Sequence, residues 1–153
     1  LRLFGRVGHR NHAHCTSTGK LLLAFLPVPE LAAILDGFDL PAHTRHTITD
    51  RSKLEDELEA IRRRGWAENV QESELGVHSV AAPIRDASGR VVAAISVAGP
   101  AARFTPDAMR RVAVDTVRTA DAISARLGWR PRESSIRPLR PVQSGPPVRV
   151  QPR

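Results

Sequence analysis

The tetrapeptide Asp86-Ala87-Ser88-Gly89 separates two strand-forming runs, Val77 to Arg85 and Arg90 to Ala98, and this limits the folds open to the chain. Turn residues between two such runs specify a hairpin, so the sheet holds an antiparallel pair and is not purely parallel. A four-residue loop sets Arg85 opposite Arg90. Continuing that register puts Ala81 opposite Ala94, Ser79 opposite Ser96 and Val77 opposite Ala98, all six on one face. The other face carries His78, Val80, Ala82 and Ile84 against Val91, Ala93, Ile95 and Val97. Being the more apolar, it is expected to face the core.

Helical signals flank the hairpin. Thr16, Ser17 and Thr18 offer N-cap hydroxyls ahead of Leu21, Leu22, Phe25 and Leu26, and Pro27 stops that helix. A second short helix is predicted from Pro29 to Asp36, using Leu31, Ile34 and Leu35 and ending near Gly37. Asp50 or Thr49 caps a third, with a stripe of Leu54, Leu58 and Ile61, a Glu59–Arg63 pair and a stop at Gly65. Thr105-Pro106 opens a helix of about six turns carrying Met109, Val112, Ala113, Val117, Ala120, Ile123 and Leu127 up to Gly128. Leu1 to Val7 and Trp66 to Val70 are predicted as further strands, and Gln71-Glu72-Ser73-Glu74 as an exposed loop. Helices interleaved with antiparallel strands predict an α+β class, with helices packed on the sheet.

The chain has 153 residues and a net charge of +7, which raises the question of nucleic-acid binding. From Arg130 onward there are six arginines against the single acid Glu133, so most of the surplus sits in the last stretch. That stretch also holds six of the twelve prolines and few large apolar residues, so residues 130–153 are predicted to be a disordered basic tail. Such a tail is a weak anion-binding appendage rather than a sequence reader. No run approaches the roughly 18 to 20 apolar residues of a membrane helix, and the first residues show no signal-peptide pattern, which predicts a soluble, cytoplasmic protein. The single cysteine, Cys15, supports neither an internal disulfide nor a thiolate cluster.

Several constellations invite catalytic readings and fail on spacing. Ser17-Thr18-Gly19-Lys20 approaches a phosphate loop, but that motif needs glycine where His14 sits and Ser or Thr where Leu21 sits. No Gly-x-Ser-x-Gly occurs, and His78 points to the face opposite Ser79, so a serine-hydrolase triad lacks support. Glu55, Asp56, Glu57 and Glu59 share their helix with arginines and read as a solvated face. His9, His12, His14 and Cys15 crowd seven residues without a standard zinc spacing, so no metal or other cofactor is expected. What remains is the sheet face of Ser79 and Ser96, where small neighbours Ala81, Ala94 and Ala98 leave room for a ligand. Its hydroxyls and the N-terminus of the helix after Thr16 suit a small anion, although two serines bonded to local backbone or water account for the same residues.

Seven segments then make a combined pattern: His14-x-Thr16-x-x-Gly19-Lys20 with Leu22-Leu23-Ala24, Thr47-Ile48-Thr49-Asp50, Ile61-Arg62-x-Arg64-Gly65, Glu72-x-x-x-Gly76, Ala81-Ala82-Pro83-Ile84 and Ser96-Val97-x-Gly99-Pro100. In order and spacing they resemble the C-terminal effector-binding domain of IclR-family transcriptional regulators, over about residues 1–129. The resemblance implies a GAF-like domain that senses a small organic acid or related metabolite, self-associates as a dimer or tetramer, and is not an enzyme. DNA binding would belong to a winged helix-turn-helix domain absent from this sequence. By matching positions, the resemblance implies an effector pocket at Ser17, Thr18, Asn69, Val77, Ser79, Ser96 and Ala98. Ala98 stands where some relatives carry a hydroxyl, Asn69 where some carry an acid, and His12-Ala13-His14 replaces Pro-Leu-His. An assembly module with a vestigial pocket is the alternative function, followed by an enzyme on the same fold.

Overall fold

The computed structural model describes residues 10–130. The strand expected at Leu1 to Val7 and all of the expected tail but its first residue, Arg130, lie outside the described residues. A 3-10 turn, Ala13–Cys15, leads into α1, Ser17–Ala24, with Thr16 as N-cap accepting the Gly19 N–H at 3.1 Å. The helix ends at Ala24, before Pro27, because the Phe25 and Leu26 N–H groups fold back onto the Leu22 and Leu23 carbonyls. Helix α2, Val28–Asp36, buries Leu31 and Leu35 but leaves Ile34 exposed. Helix α3, Arg51–Arg64, is capped by Asp50, which accepts the Lys53 N–H. It stops at Gly65, whose φ of 82° suits a residue without a side chain. Its Leu54, Leu58 and Ile61 are fully buried, and Glu59 pairs with Arg63 at 2.7 Å.

Strands β1, Ala67–Val70, β2, Val77–Arg85, and β3, Val91–Pro100, form an antiparallel sheet in the order β1-β2-β3. The hairpin is where expected, but its register is not. Ser79 lies opposite Ala98 rather than Ser96, Ala81 opposite Ser96 rather than Ala94, and Val77 opposite Pro100 rather than Ala98. Two local events cause this. Asp86 draws Arg90 into the turn, its N–H donating to the Arg90 carbonyl and its carboxylate accepting from the Ser88 and Arg90 N–H groups, so Arg85 pairs with Val91. Ile84 then pairs with Ala93, and Val92 bulges out. Each event shifts the register by one residue, and together they shift it by two. Side chains alternate with period two, so the expected faces survive except at the bulge, where Val91 lies opposite Arg85 instead of beside Ile84.

Helix α4, Pro106–Arg126, with Thr105 as N-cap and proline at its start, covers the apolar face through Met109 and Ala113 against Val80 and Phe104. Ser124 ties it to the sheet by accepting the Arg85 N–H at 2.8 Å. This apolar face is only one of two covered faces. The larger core cluster lies on the small-residue face, where Leu21, Leu54, Leu58 and Ile61 pack with Ala67 and Ala81. Alanines on the sheet let α1 approach closely enough for leucines of α1 and α3 to fill the space. Helices on both faces of an antiparallel sheet make the class α+β.

Candidate functional site

Helix α1 crosses the small-residue face unevenly. At one end its leucines seal the alanines, and at the other a cavity of about 640 Å³ stays open between its N-terminus and the sheet. Ser17, Thr18, Asn69, Val77, Ser79, Ser96 and Ala98 all line it. The sheet supplies Asn69, Ser79 and Ala98 as one row across the three strands, with Ser96 two residues further along β3. Ser17, Asn69, Val77 and Ser79 form a buried floor, Thr18 is half-buried, and Ser96 and Ala98 are exposed at the rim.

The hydroxyls of the floor are already engaged. Ser17 Oγ and Ser79 Oγ lie 2.8 Å apart and share one hydrogen bond, so one of the two protons remains for a ligand. Asn69 Oδ1 accepts the Glu72 N–H at 2.7 Å and its Nδ2 donates to Ser73 Oγ, which leaves one amide proton over. In α1, Gly19 N–H is capped by Thr16 and Lys20 N–H reaches the Thr16 carbonyl. The Ser17 and Thr18 N–H groups precede the first intrahelical bond and sit at the positive end of the helix dipole. Among the described lining residues there is no lysine or arginine, so a bound carboxylate would be held by hydroxyls, amides and the helix end.

The far wall is built from the segment expected to be an exposed loop, and that expectation is wrong at Glu72. Its carboxylate is buried, 2.7 Å from the ammonium of Lys20, itself 1% exposed and 3.5 Å from Glu57. Burial outweighs the attraction of Lys20 and raises the Glu72 pKa above the usual carboxylate range. Thr44 and Thr47 hydroxyls donate to the Gln71 and Glu72 carbonyls at 2.6 Å, so loop 71–76 is tied down from three directions, and its Ser73 and Glu74 line the cavity. Lys20 and Glu72 were missed as a structural pair. The available signal is that Lys20 shares a helix face with the buried Leu23 and Ala24.

Gly19 has a steric role. A Cβ there would lie 2.4 Å from the backbone Cα and oxygen of Ala13, so only glycine lets the 3-10 turn close onto α1 beside the cavity. In that turn His14 is fully buried, with Nε2 3.1 Å from the Pro41 carbonyl, and desolvation lowers its pKa, favouring the neutral ring. Burial, assisted by the negative Glu72, pushes the Cys15 thiol up to about 11. His9 lies outside the described residues.

A larger concavity, about 760 Å³, carries Arg62, Arg63, Arg64 and Arg85, but those guanidinium groups have partners. Arg62 donates to the Ala24 carbonyl, Arg63 to Glu59, Arg64 to Glu57 and the Trp66 carbonyl, and Arg85 to the Gly89 carbonyl while lying over Phe25. His78 Nδ1–H donates to the Phe104 carbonyl, 2.8 Å away on the α4 side, and takes no part with Ser79.

Residues 1–125 match the model of a protein family described as the C-terminal domain of the bacterial transcriptional regulator IclR. The chain is 33% identical over 129 residues to the HTH-type transcriptional regulator KdgR of Escherichia coli K12, covering 84% of this chain and 49% of KdgR. It spans about half the length of the curated relatives it matches. The crystal structure of Thermotoga maritima IclR superposes with a TM-score of 0.77 at 36% identity, covering 84% of this chain and 52% of that one. A double mutant of the inducer-binding domain of the Acinetobacter transcription factor PobR, in complex with 3-hydroxybenzoic acid, gives a TM-score of 0.74 at 30% identity, covering 81% and 72%. No helix among the described residues is long and apolar enough to cross a membrane.

Proposed function

The chain belongs to the IclR family of bacterial transcriptional regulators, as its C-terminal effector-binding domain, and on that footing we propose that the cavity between α1 and the sheet binds a small organic acid. The observation that carries this reading is the convergence of Ser17, Thr18, Asn69, Ser79 and Ser96 on one cavity at the N-terminus of α1. A carboxylate seated there accepts from the Ser17 and Thr18 N–H groups, from the spare proton of the Ser17–Ser79 pair and from Asn69 Nδ2. Hydrogen bonds to a charged acceptor inside a partly dry pocket are the strong ones. A volume of about 640 Å³ suits a ligand of metabolite size. The PobR domain's complex with 3-hydroxybenzoic acid supports the same ligand class.

Ligand binding would alter how a DNA-binding domain elsewhere in the full regulator meets its operator. The domain also self-associates as a dimer or tetramer. Supporting this, β3 forms one edge of the described sheet and leaves Val92 and Val97 exposed, and such edges seek partners. A thermal-shift panel of small organic acids, each paired with its amide, tests the pocket. Stabilisation by an acid but not its amide supports the reading; stabilisation by none of them refutes it.

A further inference from the structure

We propose that His14, Cys15 and His43 form a binding site for a borderline-soft divalent ion of the Zn²⁺ type, separate from the organic-acid cavity. One nitrogen or sulfur atom of each lies within 4.8 Å of the other two. Zinc bonds of about 2.0 to 2.3 Å need ligand atoms somewhat closer than this. The difference falls to His43, an exposed side chain on the segment between α2 and α3, while His14 and Cys15 are fixed in the buried turn.

The state of His14 points to a ligand. Its ring is fully buried, Nε2 is engaged at 3.1 Å with the Pro41 carbonyl, and Nδ1 has no hydrogen-bond partner. A carbonyl can accept only from N–H, so the proton sits on Nε2 and Nδ1 carries a bare lone pair. Metal-bound histidines are oriented in this way, with one nitrogen donating to a carbonyl and the other on the metal. A buried lone pair without a partner is otherwise a cost.

The remaining groups agree with this chemistry. One thiolate and two imidazoles favour zinc-like ions over magnesium or calcium. The Cys15 S–H, which now donates to the His12 carbonyl at 3.4 Å, would pass its proton to solvent as the sulfur–metal bond forms. The nearby positive charge of Lys20 is balanced by Glu72. The fourth position falls to water or to His12, whose ring centroid lies 4.6 Å from that of His43.

Cobalt(II) is the probe, because a thiolate ligand gives a near-ultraviolet charge-transfer band and tetrahedral geometry gives intense visible bands. Titrating the 153-residue chain should produce both at one equivalent, and Zn²⁺ should bleach them. Cys15→Ser should abolish the near-ultraviolet band. His43→Ala alters an exposed side chain, leaves the fold intact, and should weaken cobalt binding at least tenfold, whereas His46→Ala should not. Absence of the thiolate band in the unaltered chain, or equal affinity in His43→Ala, would overturn the proposal.

Discussion

Ser17 and Ser79 share a single 2.8 Å hydrogen bond across the seam between α1 and β2, although 62 residues separate them in the chain. The bond joins the helix end to the sheet at the floor of the cavity. A ligand that accepts the remaining hydroxyl proton therefore contacts both elements through one pair.

The pair predicts the effect of removing its hydroxyls. The double variant Ser17→Ala/Ser79→Ala removes the pair's spare donor to the ligand, a contribution of about 1.5 to 3 kcal/mol for a charged acceptor, so binding should weaken roughly 10- to 100-fold, whereas Ser79→Ala alone frees the Ser17 proton and should cost less. Calorimetric titration with an acid selected from the panel measures it. Unchanged affinity in the double variant would exclude the Ser17–Ser79 pair from the contact.

The Lys20–Glu72 pair predicts a stability effect separable from binding. Lys20→Met leaves the Glu72 carboxylate buried with only backbone support, which should cost about 3 to 5 kcal/mol. The double variant Lys20→Met/Glu72→Leu should recover most of that loss, since no uncompensated charge remains. Urea unfolding of the two variants checks both statements.

Gly19→Ala should destabilise the domain by about 1 to 3 kcal/mol, because the new methyl meets backbone of Ala13 rather than a side chain that can move. The turn must retreat from α1, so organic-acid affinity should fall as well. Normal stability in this variant would show that the turn can shift freely.

Cys15 predicts a chemical result for the metal-free chain. With its thiol pushed up to about 11, about one molecule in a thousand carries thiolate at pH 8. Alkylation should be slow in the folded state at pH 8 and rapid in denaturant. Fast alkylation of the folded chain would contradict the burial of the turn.

Local signals carried much of this structure into the sequence. Asp50 and Gly65 bracket α3, Thr105-Pro106 opens α4, and Asp86 to Gly89 makes the hairpin, because caps and turns depend on residues a few positions apart. The bulge at Val92 was not legible: valine suits a regular strand as well as a bulged one, so nothing marks the displaced position. The small-residue face was legible, whereas its partial sealing was not, since it depends on leucines from α1 and α3 meeting Ala67 and Ala81. Glu72 read as solvent-exposed because its partner, Lys20, lies 52 residues earlier. His43 likewise gave no sign of meeting His14 and Cys15, because the segment after α2 has no periodicity to direct it.

The measurement that bears most directly on the central claim is calorimetric titration of the intact chain and of Ser96→Leu with the best-stabilising acid of the panel. Ser96 lies at the exposed rim, so leucine there fills the cavity without burying a new group in the core. Saturable binding by the unaltered chain that disappears in Ser96→Leu, with both proteins unfolding at the same temperature in the absence of ligand, is the result expected. Equal affinity in the two proteins would place the acid elsewhere and contradict the assignment of this cavity.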